Sequence, residues 1–274
     1  MKTIVVATDF SEVARNATQY GAELAKHIGA DLHIVNVYVL PVGMSEMSMQ
    51  AELPEQIMMP ALYREAKNSA EESLASLKEA LQQQYPGVSI TTEGRLGNNS
   101  LAGITEYAEE VQPFLVVIGS HDLHGMENWG STEKDMIKKF AFPFLAVPAE
   151  YKAGSFQKIA LSSDLQPIPA KNIKLIEDVV EGTKGQLTIV HVQTESDESP
   201  TDAVLSSFPS LTPKYHHLQD EDVTEGLDSF LREEGIDILI VLPRHHNFWE
   251  NLLGKEHTTS LLSSIHIPVL CVPE

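Results

Sequence analysis

The 274-residue chain has a single cysteine, Cys271. No intrachain disulfide can form, and such thiol usage suits a reducing compartment. Positive charge is scarce as well: 19 Lys and Arg stand against 39 Asp and Glu, a net charge of −20. A field of that sign opposes nucleic acid and anionic membrane surfaces. No apolar run reaches the roughly 20 residues that a bilayer span requires. The opening MKTIVVATDF meets Asp9 too early for a secretory leader. No Gly/Ser/Pro tract or charge block marks disorder. What is there is a chain of ordinary aliphatic content, long enough for two units that each bury a core.

Its main feature is repetition. KTIVVATDF, closing on Asp9, returns as FQKIALSSDL, closing on Asp164. ADLHIVNVYV (30–39) returns as GQLTIVHVQT (185–194), PFLVVIGS (113–120) as IDILIVLP (236–243), and FPFLAVPAE (142–150) as IPVLCVPE (267–274). Four matched apolar runs in one order describe a duplicated unit.

Within the first copy, strand-like runs alternate with helical periodicity. Val13, Ala17, Tyr20, Leu24 and Ile28 share one helical face, and Gly29 ends that helix. Pro60 is expected to open a long helix with Leu62, Ala66, Ala70, Leu74, Leu77 and Leu81 inward. VSITTEG makes a third strand, Leu101 to Glu110 a shorter helix, and Thr132 to Phe140 a last helix before strand five. Strands separated by helices give a parallel sheet with right-handed crossovers. The most continuously apolar strands belong at its centre and polar VSITTE at an edge, so the order is 3-2-1-4-5. Its switch point lies between strands one and four, where open α/β sheets bind ligands. ATDFSE and IGSHDLHGMENWGST are the loops found there.

The fold class is therefore α/β, with two tandem doubly wound domains, 1–148 and 156–274, joined by a linker at 149–155. The copies stand 155 residues apart at Asp9/Asp164 and 124 apart at Val117/Val241, so about 31 residues are missing from the second. The deficit falls on the long helix, replaced by SPTDAVLSSFPSLTP with room for about two turns.

An Ile/Val strand closing on Asp, the second strand LHIVNV, the fourth strand VVIGS and the PFLAVP run together resemble the universal stress protein family, in a tandem form covering nearly the whole chain. The resemblance implies a cytoplasmic stress-response protein that binds ATP or another adenine nucleotide in its first domain, with Mg only alongside nucleotide. It implies Asp9 as the adenosine-contacting aspartate and Val37 as the residue beside the adenine. The family's phosphate loop, G-x2-G-x9-G-[ST], maps onto Gly119 and onto Gly130 with Ser131; Asp122 holds the second glycine position, Gly125 partly replaces it, and the loop is two residues short. Asp122 near phosphate oxygens is unfavourable without a cation. In the second domain Pro243 is matched to Gly119, and Lys255 and Glu256 to the closing pair, leaving only Asp164 and Val192. The family also implies pairing of the two domains through their fifth strands, an internal pseudo-dimer that shields both edges and buries Cys271.

Bland readings stand beside these. Asp9 and Asp164 also suit loop and helix-start N–H groups, Gly119, Gly125 and Gly130 suit turns, and Ser131 is a good N-cap. His121, His124, His245 and His246 lie in loops. Adjacent His216 and His217 lie on a strand and face opposite sides, so no metal site is expected. The Met cluster (Met44, Met47, Met49, Met58, Met59) fits an adaptable surface or a lid. The alternative function is an interaction or regulatory module that binds no nucleotide. An adenine-nucleotide hydrolase or transferase is the weakest reading, because ATDFSE lacks the His-x-Gly-His and Ser-Gly-Gly-x-Asp-Ser loops of such enzymes, and no catalytic residue is assigned. A homodimer and an unidentified protein partner remain open; nucleic acid and membrane do not.

Overall fold

The computed structural model describes residues 2–39, 55–120, 140–152, 154–193, 202–220, 223–242 and 265–273. In the first half β1 (Thr3–Ala7), α1 (Glu12–Ile28), β2 (Asp31–Tyr38), α2 (Glu55–Gln84), β3 (Ile90–Leu96), α3 (Ser100–Val111), β4 (Leu115–Ser120) and β5 (Phe144–Pro148) follow one another. The second half carries β6 (Lys158–Ser162), α4 (Ala170–Thr183), β7 (Gln186–Gln193), α5 (Asp202–Leu205), β8 (Lys214–Gln219), α6 (Val223–Glu234), β9 (Ile238–Val241) and β10 (Val269–Cys271). Of the expected helix from Thr132 to Phe140 only Phe140 is described; it lies outside a helix and packs on Phe142 and Phe144 ahead of β5.

One ten-stranded sheet runs β3-β2-β1-β4-β5-β10-β9-β6-β7-β8. Each half has the 3-2-1-4-5 order read from the sequence, and VSITTE does form the outer edge. Pairing is parallel within each half and antiparallel where β5 meets β10. At that seam Leu145 faces Leu270. Both residues occupy the same place in their own half, next to Val117 and Ile240 respectively, so a pseudo-two-fold axis passes between them. Neither fifth strand is left as an open edge.

The sheet register corrects the spacing between copies. β1 pairs Val6 with Val117, and β6 pairs Leu161 with Ile240. The match is Val117/Ile240, an offset of 123 rather than 124, and the deficit is 155 − 123 = 32 residues. Gly119 therefore corresponds to Leu242, and Pro243 to Ser120. A one-residue slip would exchange every side chain between the two faces; burial fixes the true register where the letter pattern ILIV against LVVI does not.

Two further expectations shift. α2 starts at Glu55, with Pro60 inside it. Pro60 forfeits a single hydrogen bond near the helix start, where the loss is tolerable. Among the described residues the second half has the four-residue helix α5 where the first has α2.

α1, α2 and α4 bury one face of the sheet through Tyr20, Leu24, Leu74, Leu81, Leu175 and Ile176. α3 and α6 bury the other through Ile104, Tyr107, Leu227 and Phe230. Both cores run unbroken across the seam. There Phe156 packs edge-on against Tyr20 (centroids 5.2 Å apart) and Lys2 Nζ lies 3.2 Å from Asp178. α1 and α4 approach so closely that a Cβ on Gly182 would sit 2.7 Å from Ile28 Cγ2 and 2.9 Å from Ile28 Cα.

Candidate functional site at the carboxyl edge

β1 leaves the sheet at Thr8, whose N–H donates to Val35 O (2.9 Å). Phe10 then adopts a left-handed backbone with φ 66°. Its N–H donates to Thr8 Oγ1 (3.1 Å), while Ser11 N–H donates to Asp9 Oδ1 (2.9 Å). Ser11 in turn caps α1 by accepting from Ala14 N–H. The Asp9 side chain is left exposed at the rim with its second oxygen open.

The second half builds the same loop. Ser163 N–H donates to Val190 O (2.9 Å), and Leu165 has φ 61°. Leu165 N–H donates to Ser163 Oγ, and Gln166 N–H to Asp164 Oδ1. Each loop is pinned from the neighbouring strand: Asn36 Nδ2 donates to Thr8 O (2.7 Å), and His191 Nδ1 meets Ser163 O at 2.9 Å. A carbonyl only accepts, so His191 carries its proton on Nδ1. Thr8, Phe10 and Asn36, with Ser163, Leu165 and His191, escaped the sequence reading. A hydroxyl residue before each Asp, at the constant 155 spacing, was the available signal.

Asp9 and Val37 lie at the same carboxyl edge, each two residues beyond the last β1/β2 pair, Ala7 with Val35. In a parallel strand the peptide groups alternate sides. Val35 O faces β1, so two residues on the N–H and C=O of Val37 face the same way, into the gap that β1 has vacated. The Val37 side chain points to the α3 face, where its Cγ1 lies 2.5 Å from a Cβ built on Gly103; a larger side chain at either position would separate α3 from β2. Gly119 lies at the carboxyl end of β4 on the other side of β1, so close to α1 that a Cβ there would stand 2.8 Å from Val13 Cγ1 and 2.9 Å from Val13 O. Its described role is close packing of the α1 start at the switch point. In the second half Leu242 carries a side chain at this place, and α4 begins three residues later than α1 by the 155 spacing.

Around the rim Val39, Tyr63 and Leu96 are exposed apolar side chains. Tyr38 stacks obliquely on Tyr63, 6.3 Å between centroids. Burial, then the hydrogen bond with Tyr63, pushes the Tyr38 hydroxyl up to about 12. Beside Phe10 a groove of about 450 Å³ separates Arg15 from Glu72, Ser73 and Ser76 of α2.

Gly125, Gly130 and Ser131 lie outside the described residues, as do Asp122, His121, His124, Met44, Met47, Met49, Pro243, His245, His246, Lys255 and Glu256; Met58 and Met59 fall near the start of α2. His216 packs on Phe230 (4.6 Å) and His217 stacks on His191 (6.1 Å), on opposite faces of β8. Among the described residues no three His, Cys, Asp or Glu side chains gather where they could hold a metal ion, and no helix is long and apolar enough to cross a membrane. Cys271 is buried at the seam, and burial pushes its thiol far up.

A doubly wound α/β sheet with a switch point between β1 and β4 is the class that this architecture defines. The model of the Universal stress protein family matches residues 1–148. The chain belongs to that family. Universal stress protein MJ0531 of Methanocaldococcus jannaschii is 29% identical over 148 residues, covering 53% of this chain and 81% of that protein. A universal stress protein from Archaeoglobus fulgidus shares the whole fold: TM-score 0.76 at 15% identity, over 99% of this chain and 98% of the other. Protein PA1789 of Pseudomonas aeruginosa, described as functionally unknown, aligns over 100% of this chain and 92% of its own at TM-score 0.61 and 11% identity.

Proposed function

We propose that this is a cytoplasmic stress-response protein whose first domain, 1–148, binds an adenine nucleotide, while the second, 156–274, serves as its internal pseudo-dimer partner across the 149–155 linker. The observation that supports the reading is the open peptide edge of Val37 on the same carboxyl edge as the exposed Asp9 carboxylate, which spends one oxygen on Ser11 N–H. Adenine offers one donor, N6–H, and one acceptor, N1, on a single edge. A strand N–H and C=O are complementary to that pair, and Asp9 is placed to accept from a ribose hydroxyl. The apolar rim of Val39, Tyr63 and Leu96 suits the base faces. Phosphates would fall to Gly119, Gly125, Gly130 and Ser131, with Mg entering alongside ATP. No bond-breaking step is assigned.

The test is calorimetric titration of nucleotide-stripped protein with ATP, with and without magnesium. Asp9→Ala removes a charged acceptor and is expected to weaken binding about tenfold or more; Asp164→Ala should leave it unchanged. Equal affinity of both variants would place the nucleotide elsewhere. A second reading, an interaction module without nucleotide, draws on the matching Asp164 loop, which repeats the same turn in the half that has lost the phosphate-loop motif. Absence of saturable ATP binding at millimolar concentration decides for it.

A further inference from the structure

The amino-terminal edge of the second half holds a groove of about 220 Å³, at the opposite end of the strands from the carboxyl edge. Lys158 opens it from β6, Thr188 from β7, and Lys214 and His216 from β8; Phe230 and Glu234 of α6 close it. The register places Lys158, Thr188, Lys214 and His216 on the α6 face of the sheet. In a chain this short of cations, two lysines converging on one groove call for a reason.

Their charges are not spent on carboxylates. Lys158 Nζ donates to the backbone carbonyl of Glu234 (2.5 Å), which orients the ammonium without neutralising it. Among the described residues Lys214 makes no ion pair, and the Thr188 hydroxyl has no hydrogen-bond partner. Two carboxylates lie close. Asp237 already accepts from Ser155 Oγ and from the N–H groups of Gln157 and Lys158. Glu234 stands exposed at the rim.

The first half shows the same place in a self-satisfied form. By sheet register Thr91 matches Lys214, Glu93 matches His216 and Arg95 matches Leu218; the twelve-residue helices α3 and α6 match Tyr107 with Phe230. There Arg95 lies over the Tyr107 ring (4.8 Å) and is held by Glu93 and Glu110. The second half has lost the arginine that fills the space and one of the two carboxylates that answer it: His216 stands for Glu93, while Glu233 keeps the place of Glu110. A lysine has been gained where the first half has Thr91.

We propose that this groove binds a small phosphoryl ligand, either inorganic phosphate or the phosphate of a compact phosphorylated metabolite, with Lys158 and Lys214 as charge partners and Thr188 and His216 as hydrogen-bond donors. The volume lies below the roughly 300–1,000 Å³ of pockets for larger organic ligands, which excludes a nucleoside triphosphate. Glu234 at the rim opposes the anion and sets a limit on affinity. The site is independent of the switch-point reading.

The full chain should be titrated by calorimetry with inorganic phosphate, glycerol phosphate and, as a carboxylate control, malonate. Saturable phosphate or glycerol phosphate binding is expected; the tighter of the two identifies the source. Lys214→Gln should weaken it about tenfold, Glu234→Gln should tighten it, and Asp9→Ala should leave it unaltered. The double variant His216→Glu with Leu218→Arg rebuilds the first half's internal ion pair and should abolish binding, with circular dichroism and melting temperature verifying the fold. No saturable binding, binding indifferent to Lys214→Gln and to the double variant, or binding of malonate in preference to both phosphates would each overturn the proposal.

Discussion

Gly182→Ala sets two physical effects against each other at the seam. Alanine in a helix is favoured over glycine by about 0.5–1 kcal/mol, so propensity alone predicts a more stable protein. The packing predicts the reverse. The added Cβ would lie 2.7 Å from Ile28 Cγ2, 2.9 Å from Ile28 Cα and 3.0 Å from Ile28 Cβ. The first contact could be relieved by a rotamer change, but the other two belong to the α1 backbone and its first side-chain atom. Relief requires α1 and α4 to move apart, against a core shared by both halves. Overpacking of this kind costs about 1–3 kcal/mol, leaving a net loss of up to roughly 2.5 kcal/mol, about 1 at mid-range, after the propensity gain. At mid-range that lowers the melting temperature of a chain of this size by roughly 2–4 °C. Urea unfolding and a thermal melt measure it directly. Ile28→Ala should not rescue the variant, because Cα and Cβ remain. A melting temperature equal to or above that of the parent would refute the packing argument.

Other consequences follow from single contacts. Asn16→Ala removes the amide that donates to the carbonyls of Pro148 (3.0 Å) and Tyr151 (2.9 Å); a loss of about 1–3 kcal/mol in urea unfolding is expected. Tyr20 is buried and its hydroxyl has no protein partner among the described residues, so Tyr20→Phe should hold or raise the melting temperature, and a clear drop would contradict that reading. Tyr151 is pushed up to about 12, chiefly by burial. Its folded value exceeds the unfolded value near 10, so its contribution is full below about pH 10 and is lost as pH rises towards 12. Denaturant stability measured across that window should fall, and Tyr151→Phe should flatten the slope. Cys271 should resist a thiol reagent at pH 8 in the native state and react at once in denaturant, because its thiolate is disfavoured by burial.

The helix stripe Ala70, Leu74 and Leu81 is buried as the 3.6-residue period requires, and Leu62, Ala66 and Leu77 lie half-buried along the same line. Val13 likewise is only half-buried, because it faces the open rim rather than the core. Asp9 and Val37 were singled out by the family resemblance, and both stand at the carboxyl edge of the sheet, two residues past the last β1/β2 pair. Asn36 and His191 were not, since they contribute through a side chain reaching a carbonyl 28 residues away in sequence. The Gly119 counterpart was misplaced by one residue, since an unbroken aliphatic run contains no letter that marks which face a residue takes.

Alternation of apolar runs with helical periodicity, repeated in order, determined by itself the parallel sheets, their 3-2-1-4-5 order and the duplication, because burial on both faces writes itself into composition. Only the tertiary structure decided the Leu145–Leu270 seam register, the left-handed Phe10 and Leu165, the Gly182 contact and the Lys158–Lys214 groove. Each of these depends on atoms from distant segments meeting at a distance of a few ångströms, and a local pattern of residue types holds no record of which distant atoms meet.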